Sequence, residues 1–132
     1  VTLLLDSNML IAFIIKEHPH HNFTRDWVDQ TGGSFASCPI TQGALVRFAI
    51  REGASAGDAA ELAGGLARKI NHEFWPDDLS FDQVNLVGVI GHRQVTDSYL
   101  AALARSRNSK LATFDRGLAA QHSDVAILVE PE

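Results

Sequence analysis

Four short runs along the chain are apolar at both alternating positions: Thr2–Leu5, Ser34–Cys38, Leu111–Phe114 and Val125–Val129, the second the weakest. Such runs suit strands covered on both faces, as in a parallel sheet. Between them, apolar residues recur at helical spacing. Met9–Ile15 is apolar all round and predicts a short buried helix, and His20–Gln30 sets Phe23, Trp27 and Val28 on one side. Ile40–Arg51 carries Leu45, Val46, Phe48, Ala49 and Ile50, with Pro39 and Thr41 as start signals. In Ser55–Ile70, Ser55 and Asp58 open a helix whose stripe is Ala59, Leu62, Ala63, Leu66, Ala67 and Ile70. Gln94–Arg105 turns Leu100, Leu103 and Ala104 inward; Thr96 reads as its N-cap and Asp97 as its first residue. Val84–Ile90 is apolar but too short to separate strand from helix, and the 30s and Trp75–Asp78 read as loops. The alternation predicts an α/β sandwich around a mainly parallel sheet. Without repeats, low-complexity tracts or a dividing linker, residues 1–132 are expected to form a single domain.

Composition narrows the class. The 132 residues are 45% hydrophobic and 20% charged, a globular rather than a disordered balance. A chain of this length buries roughly two thirds of its unfolded surface and needs no disulfide or structural zinc. Cys38 is the single cysteine, which excludes an intrachain disulfide and multi-cysteine metal sites. No apolar run nears the ~20 residues that span a bilayer, and VTLLLD lacks a basic leader. No membrane association is therefore expected, and a reducing cytoplasm is the expected compartment. Eleven Lys and Arg against sixteen Asp and Glu leave a net charge of −5. That excludes binding nucleic acid through a general positive field, though not through local contacts.

Candidate chemistry lies in three aspartates. Asp6 closes the first strand and opens D-S-N-M-L; Asp115 closes Leu111–Phe114 and opens D-R-G-L. An Asp after a strand commonly caps the following helix. Two of them, on parallel central strands, would also emerge on the one rim where α/β sites form. Asp97 suits a helix start through the dipole alone. It also precedes Leu100 and Ala101 by one turn, on an inward edge where an isolated charge needs a partner. Three converging carboxylates stay ionised only around a cation. Oxygen donors alone select Mg²⁺ or Mn²⁺ over zinc. Such a centre binds phosphate oxygens and activates water for in-line attack, so phosphodiester hydrolysis is the expected chemistry.

D-S-N-M-L-I near the start, G-H-R-Q-V-T-D-S-Y-L-A-A-L-A at 91–104 and L-A-T-F-D-R-G-L at 111–118 resemble PIN-domain ribonucleases, above all the VapC-type toxins of bacterial toxin–antitoxin pairs. The resemblance runs in order through nearly the whole chain. It implies a three-layer α/β/α PIN fold, Mg²⁺- or Mn²⁺-dependent endoribonuclease activity, a homodimer and inhibition by a cognate VapB-type antitoxin. On this pattern Asp6, Asp97 and Asp115 match the metal-binding acidic positions. Asn8 matches the polar residue following the first Asp, and Thr113 lies beside the last carboxylate. Gln42, in I-T-Q-G-A-L-V-R-F, stands where the family usually has Glu. Its carbonyl can still face a cation, but one negative charge is gone, which weakens cation binding, that of a second ion most of all. Arg47 matches a basic residue often present on this helix, or is an ordinary exposed arginine.

Other features have simpler readings. His18, His20 and His21 form a polar turn around Pro19 rather than a metal tract. Cys38 reads as a small buried hydrophobe. His92 and Arg93 either touch RNA phosphate or sit at the surface, and Arg105, Arg107 and Lys110 complement a helix C-terminus before they hold RNA. The Ala-rich stripe, with Gly64–Gly65, packs in the core or admits a second helix; Phe74, Trp75 and Phe81 are expected to be buried. Two other functions compete. One is a haloacid-dehalogenase-like phosphoryl-transfer enzyme with Asp6 as nucleophile, where Asn8 replaces the usual second Asp. The other is an inactive PIN-like binding module, which Gln42 favours.

Overall fold

The computed structural model describes residues 2–131. In chain order its elements are β1 (Leu3–Leu5), α1 (Ser7–Ile14), α2 (His21–Gln30), β2 (Phe35–Ser37), α3 (Pro39–Arg51), α4 (Ala56–Ala67), β3 (His72–Phe74), α5 (Arg93–Ser106), β4 (Leu111–Thr113), α6 (Arg116–Gln121) and β5 (Ala126–Leu128). A single 3₁₀ turn, Phe81–Gln83, precedes α5. All the strands are parallel, in the order β3-β2-β1-β4-β5.

Successive residues of a strand face opposite sides of the sheet, and this builds three layers. Leu5, Phe35 and Ala112 point to one face, where they meet Met9 and Leu10 of α1, Val28 of α2, Leu45 of α3 and Leu66 of α4. Leu4, Ala36 and Leu111 point to the other, where Leu100, Leu103 and Ala104 of α5, Leu118 of α6 and Trp75 close over them. Both faces of the central strands are therefore dry, which is why β1 is apolar throughout and β2 and β4 carry a polar residue only at their last positions, Ser37 and Thr113. Local signals agree with the tertiary frame. Ser55 Oγ accepts from Asp58 N–H at 3.0 Å and caps α4. α3 ends in a glycine turn, with Gly53 at φ 106° and Ala54 N–H returning to the Ala49 carbonyl at 2.9 Å.

The structure corrects several expectations. α5 starts at Arg93, not after Thr96, with His92 as an N-cap that makes no side-chain bond; Gln94 Oε1 accepts from Ile90 N–H at 2.7 Å and ties the preceding turn to the helix. Asp97 thus lies inside the helix. The α4 stripe stops at Leu66: Ala67 is exposed, and Ile70 lies beyond the helix and fully in solvent. Trp75 is buried, whereas Phe74 and Phe81 are about half exposed. Phe74 ends the edge strand β3, whose burial falls away after His72. Val84–Ile90 is neither strand nor helix; Val84 alone anchors it in the core, and Leu86, Val87 and Ile90 are exposed.

Chain order decides where a site can form. From β1 the chain moves outward to β2 and β3, then returns to lay β4 on the opposite side of β1. The crevice at the carboxyl ends of β1 and β4 is the topological switch point.

Candidate active site

Asp6 leaves β1 at that switch point. It is buried, and it is the N-cap of α1: its Oδ1 accepts from Ser7 N–H at 2.8 Å. Asp115 follows β4 and caps α6, its Oδ1 accepting from Leu118 N–H at 3.1 Å. The capping reading of both residues is thus correct, and it coexists with convergence. Thr113, with no exposed surface, joins them: its hydroxyl donates to Asp6 Oδ2 at 2.6 Å and accepts from Asp115 N–H at 3.0 Å. One hydroxyl therefore fixes the rotamer of one carboxylate and the backbone that carries the other. Asn8 adds a longer tie, its Oδ1 accepting from Phe114 N–H at 3.4 Å.

Asp97 approaches from the α5 layer. Burial, then the charges of Asp6 and Asp115, push its carboxyl up from 3.8 to about 6. Burial also raises the Asp6 carboxyl, against the pull of its bonds from Thr113 and Ser7, and Asp115 adds to the rise. The three acids thus feel one another. Among the described residues, none of them is in an ion pair; those pairs lie elsewhere, at Arg105–Asp124, Arg107–Asp78 and Arg116–Glu130 among others.

Among the described residues, no three His, Cys, Asp or Glu side chains close into a cage that could hold an ion by themselves. Mg²⁺ does not need such a cage. That ion keeps several waters and takes one or two carboxylates together with substrate phosphate. An oxygen-only set whose charges repel and lack a cationic side chain fits that group.

Gln42 lies in the first turn of α3. Its Nε2 donates to Ser37 Oγ at 3.0 Å, and Ser37 Oγ in turn meets His72 Nε2 at 2.7 Å. Sequence reasoning missed both partners. β3 is an edge strand with polar His72 and Glu73 and gives no apolar run, and Ser37 is a buried polar residue inside an otherwise apolar strand. Thr96 is exposed on α5 and caps nothing. Arg47 is exposed and lies back along α3 against Gly43. The histidine turn is as expected, with His20 N–H donating to His18 Nδ1 at 3.0 Å, and Cys38 is buried. Arg105 pairs with Asp124, Arg107 with Asp78, and Lys110 Nζ donates to the Asp124 carbonyl, so these cations face the protein itself. A cavity of about 590 Å³ lies away from the aspartates. It is lined by Ile14, Ile15, Phe48 and Leu62, with Lys16 and Glu52 among its polar groups. No helix among the described residues is long and apolar enough to cross a membrane.

Comparison with known proteins gives the same outline. The PIN domain family model matches residues 3–122. The chain is 53% identical over 129 residues to Ribonuclease VapC29 of Mycobacterium tuberculosis, covering 98% of this chain and 97% of that protein. It is 35% identical over 132 residues to Ribonuclease VapC39 (90% and 92% covered) and 34% identical over 121 residues to Ribonuclease VapC38 (87% and 86%), both of the same organism.

Proposed function

Because the chain belongs to the PIN-domain family, in its VapC branch, we propose that it is an endoribonuclease, the toxin of a toxin–antitoxin pair. It hydrolyses RNA phosphodiester bonds with Mg²⁺ or Mn²⁺ at Asp6, Asp97 and Asp115. The observation that carries this reading is the Thr113 bridge. A buried hydroxyl holds together two carboxylate-bearing segments 107 residues apart, at the rim where the third carboxylate meets them.

Each residue has a part that follows from its setting. Asp6, buried and bonded at both oxygens, is preorganised and holds the inner side of the cation. Asp115 is exposed, with one oxygen on its helix cap, and faces incoming substrate. Asp97 closes the site from α5. When bound, the ion supplies charge to the phosphodiester oxygens and lowers the pKa of an attacking water. No side chain serves as nucleophile, so no covalent enzyme intermediate forms. RNA is held by local cations, for which Arg47 on α3 and His92 and Arg93 at the start of α5 are exposed. The partners in this reading are a VapB-type antitoxin, a second copy of the chain and RNA, in the cytoplasm.

Purified protein freed of its antitoxin is expected to cleave RNA with Mg²⁺ or Mn²⁺, to stop with EDTA, and to lose cleavage on Asp6→Ala. Undiminished cleavage in EDTA, or in Asp97→Asn, refutes the mechanism. Gln42 favours a second reading, an inactive binding module, because its amide is engaged with Ser37. Absence of Mn²⁺ binding at millimolar levels, followed by isothermal titration, would select it.

A further inference from the structure

A rim of three carboxylates draws an ion but repels the polyphosphate it must hold, and a net charge of −5 supplies no general attraction. Arg105 and Arg107 are turned to the protein itself, their side chains 34% and 30% exposed and paired with Asp124 and Asp78. Arg116 differs. It follows Asp115 directly as the first residue of α6, and its side chain is 81% exposed. Glu130 accepts from its Nη2, while Nε and Nη1 have no partner among the described residues.

Glu130 reaches the rim through the sheet. β4 and β5 pair Thr113 with Leu128, and Val129 N–H donates to the Thr113 carbonyl at 2.8 Å. Carried two residues on, this register brings Glu130 level with Asp115. Two carboxylates thus lie within the neighbourhood of Arg116, and it pairs with the outer one. Asp115 is turned to its own helix: its Oδ1 accepts from Leu118 N–H, and a Cβ on Gly117 would stand 3.3 Å from that oxygen. We infer that Arg116 binds the RNA phosphate next to the one attacked, and that Glu130 is a positioning residue that keeps the guanidinium off Asp115. This rests on the rim being the cation site of an endoribonuclease. An exposed pair is weak, so a phosphate can take the remaining donors of Arg116 or displace Glu130. Paired with Asp115 instead, the same cation would cancel charge that holds the ion.

Steady-state cleavage of single-stranded RNA at saturating Mn²⁺ tests this. Both side chains lie at the surface, so the variants are expected to fold. Arg116→Ala should raise KM about tenfold, one charge-assisted hydrogen bond lost, at unchanged kcat. The slope of log KM against log salt should become shallower by about 0.7, one phosphate contact on a single strand; Arg116→Lys should keep the slope. Glu130→Gln should raise the Mn²⁺ concentration for half-maximal cleavage about threefold. In the Arg116→Ala background it should raise it less, because the rise acts through Arg116. An unmoved KM and salt slope in Arg116→Ala, or a fall in kcat alone, overturns the phosphate site. An equal rise in both backgrounds overturns the role of Glu130. In either case Mn²⁺-dependent cleavage by the parent leaves the reading of the rim standing; a parent without it overturns that reading and the inference together.

Discussion

Replacing Asp97 by Asn should make the metal-free protein more stable while abolishing cleavage. In the folded chain the Asp97 carboxyl sits at about 6, through burial and then the charges of Asp6 and Asp115, against an ordinary 3.8. Below pH 3.8 it is protonated folded or unfolded. Between 3.8 and 6 the folded state holds more proton than the unfolded one, so stability falls as pH rises and is flat above. At pH 7.5 the parent therefore carries the full penalty. A rise of about two pH units corresponds to ~3 kcal/mol. The carboxyl is only half-buried, so solvent screening reduces this to on the order of 1–2 kcal/mol. For a domain of this size each kcal/mol is roughly 3–5 °C in Tm. Thermal melts in EDTA should show Asp97→Asn melting above the parent at pH 7.5, with the gap closing by pH 4. Saturating Mn²⁺ should lift the parent and leave the variant nearly unmoved. A variant that melts below the parent at pH 7.5, or a gap indifferent to pH, refutes the mutual repulsion on which the cation site rests.

Thr113→Val keeps the side-chain shape but strips Asp6 Oδ2 and Asp115 N–H of their shared partner. Unfolding in urea should register ~1–3 kcal/mol lost, and kcat should fall at least about tenfold as the carboxylates lose their fixed spacing. Adding Mn²⁺ to the metal-free parent at a hundred times its Kd should stabilise it by about 2.7 kcal/mol, seen as a rise in Tm; no rise would count against ion binding. Arg105 holds the Asp124 carboxyl down to about 2 through its hydrogen bonds. That stability is present above pH 3.8 and is lost as pH falls toward 2. Because the pair is exposed, Arg105→Ala should cost only ~0.5–1 kcal/mol at pH 7, with RNA cleavage per folded molecule unchanged.

Asp6 and Asp115 of the candidate site were legible because their places are set by strand burial. β1 and β4 are covered on both faces, so each reads as an unbroken apolar run, and the Asp that ends each run marks the rim. Two positions were obscure for a physical reason. α5 starts at Arg93 without a side-chain cap, so no Ser, Thr or Asp signal announces it; Gln94 only ties the turn before it through Ile90 N–H. β3 is an edge strand whose partly exposed positions carry His and Glu, so no periodicity marks it. Ser37 and His72 meet only because β3 lies beside β2 in the sheet, a pairing across 35 residues. Ile70 shows the opposite failure: the helical period ran on past the turn where the backbone had already left the helix.

The hydroxyl that links Asp6 to the β4–α6 turn comes 107 residues after Asp6. During synthesis Asp6 thus leaves the ribosome 107 residues before the hydroxyl that fixes it. A nascent chain halted anywhere before β4 contains Asp6 and can contain Asp97, yet lacks the Thr113 hydroxyl and Asp115 that complete the rim. On the proposed function, a product truncated before β4 is expected to cleave no RNA.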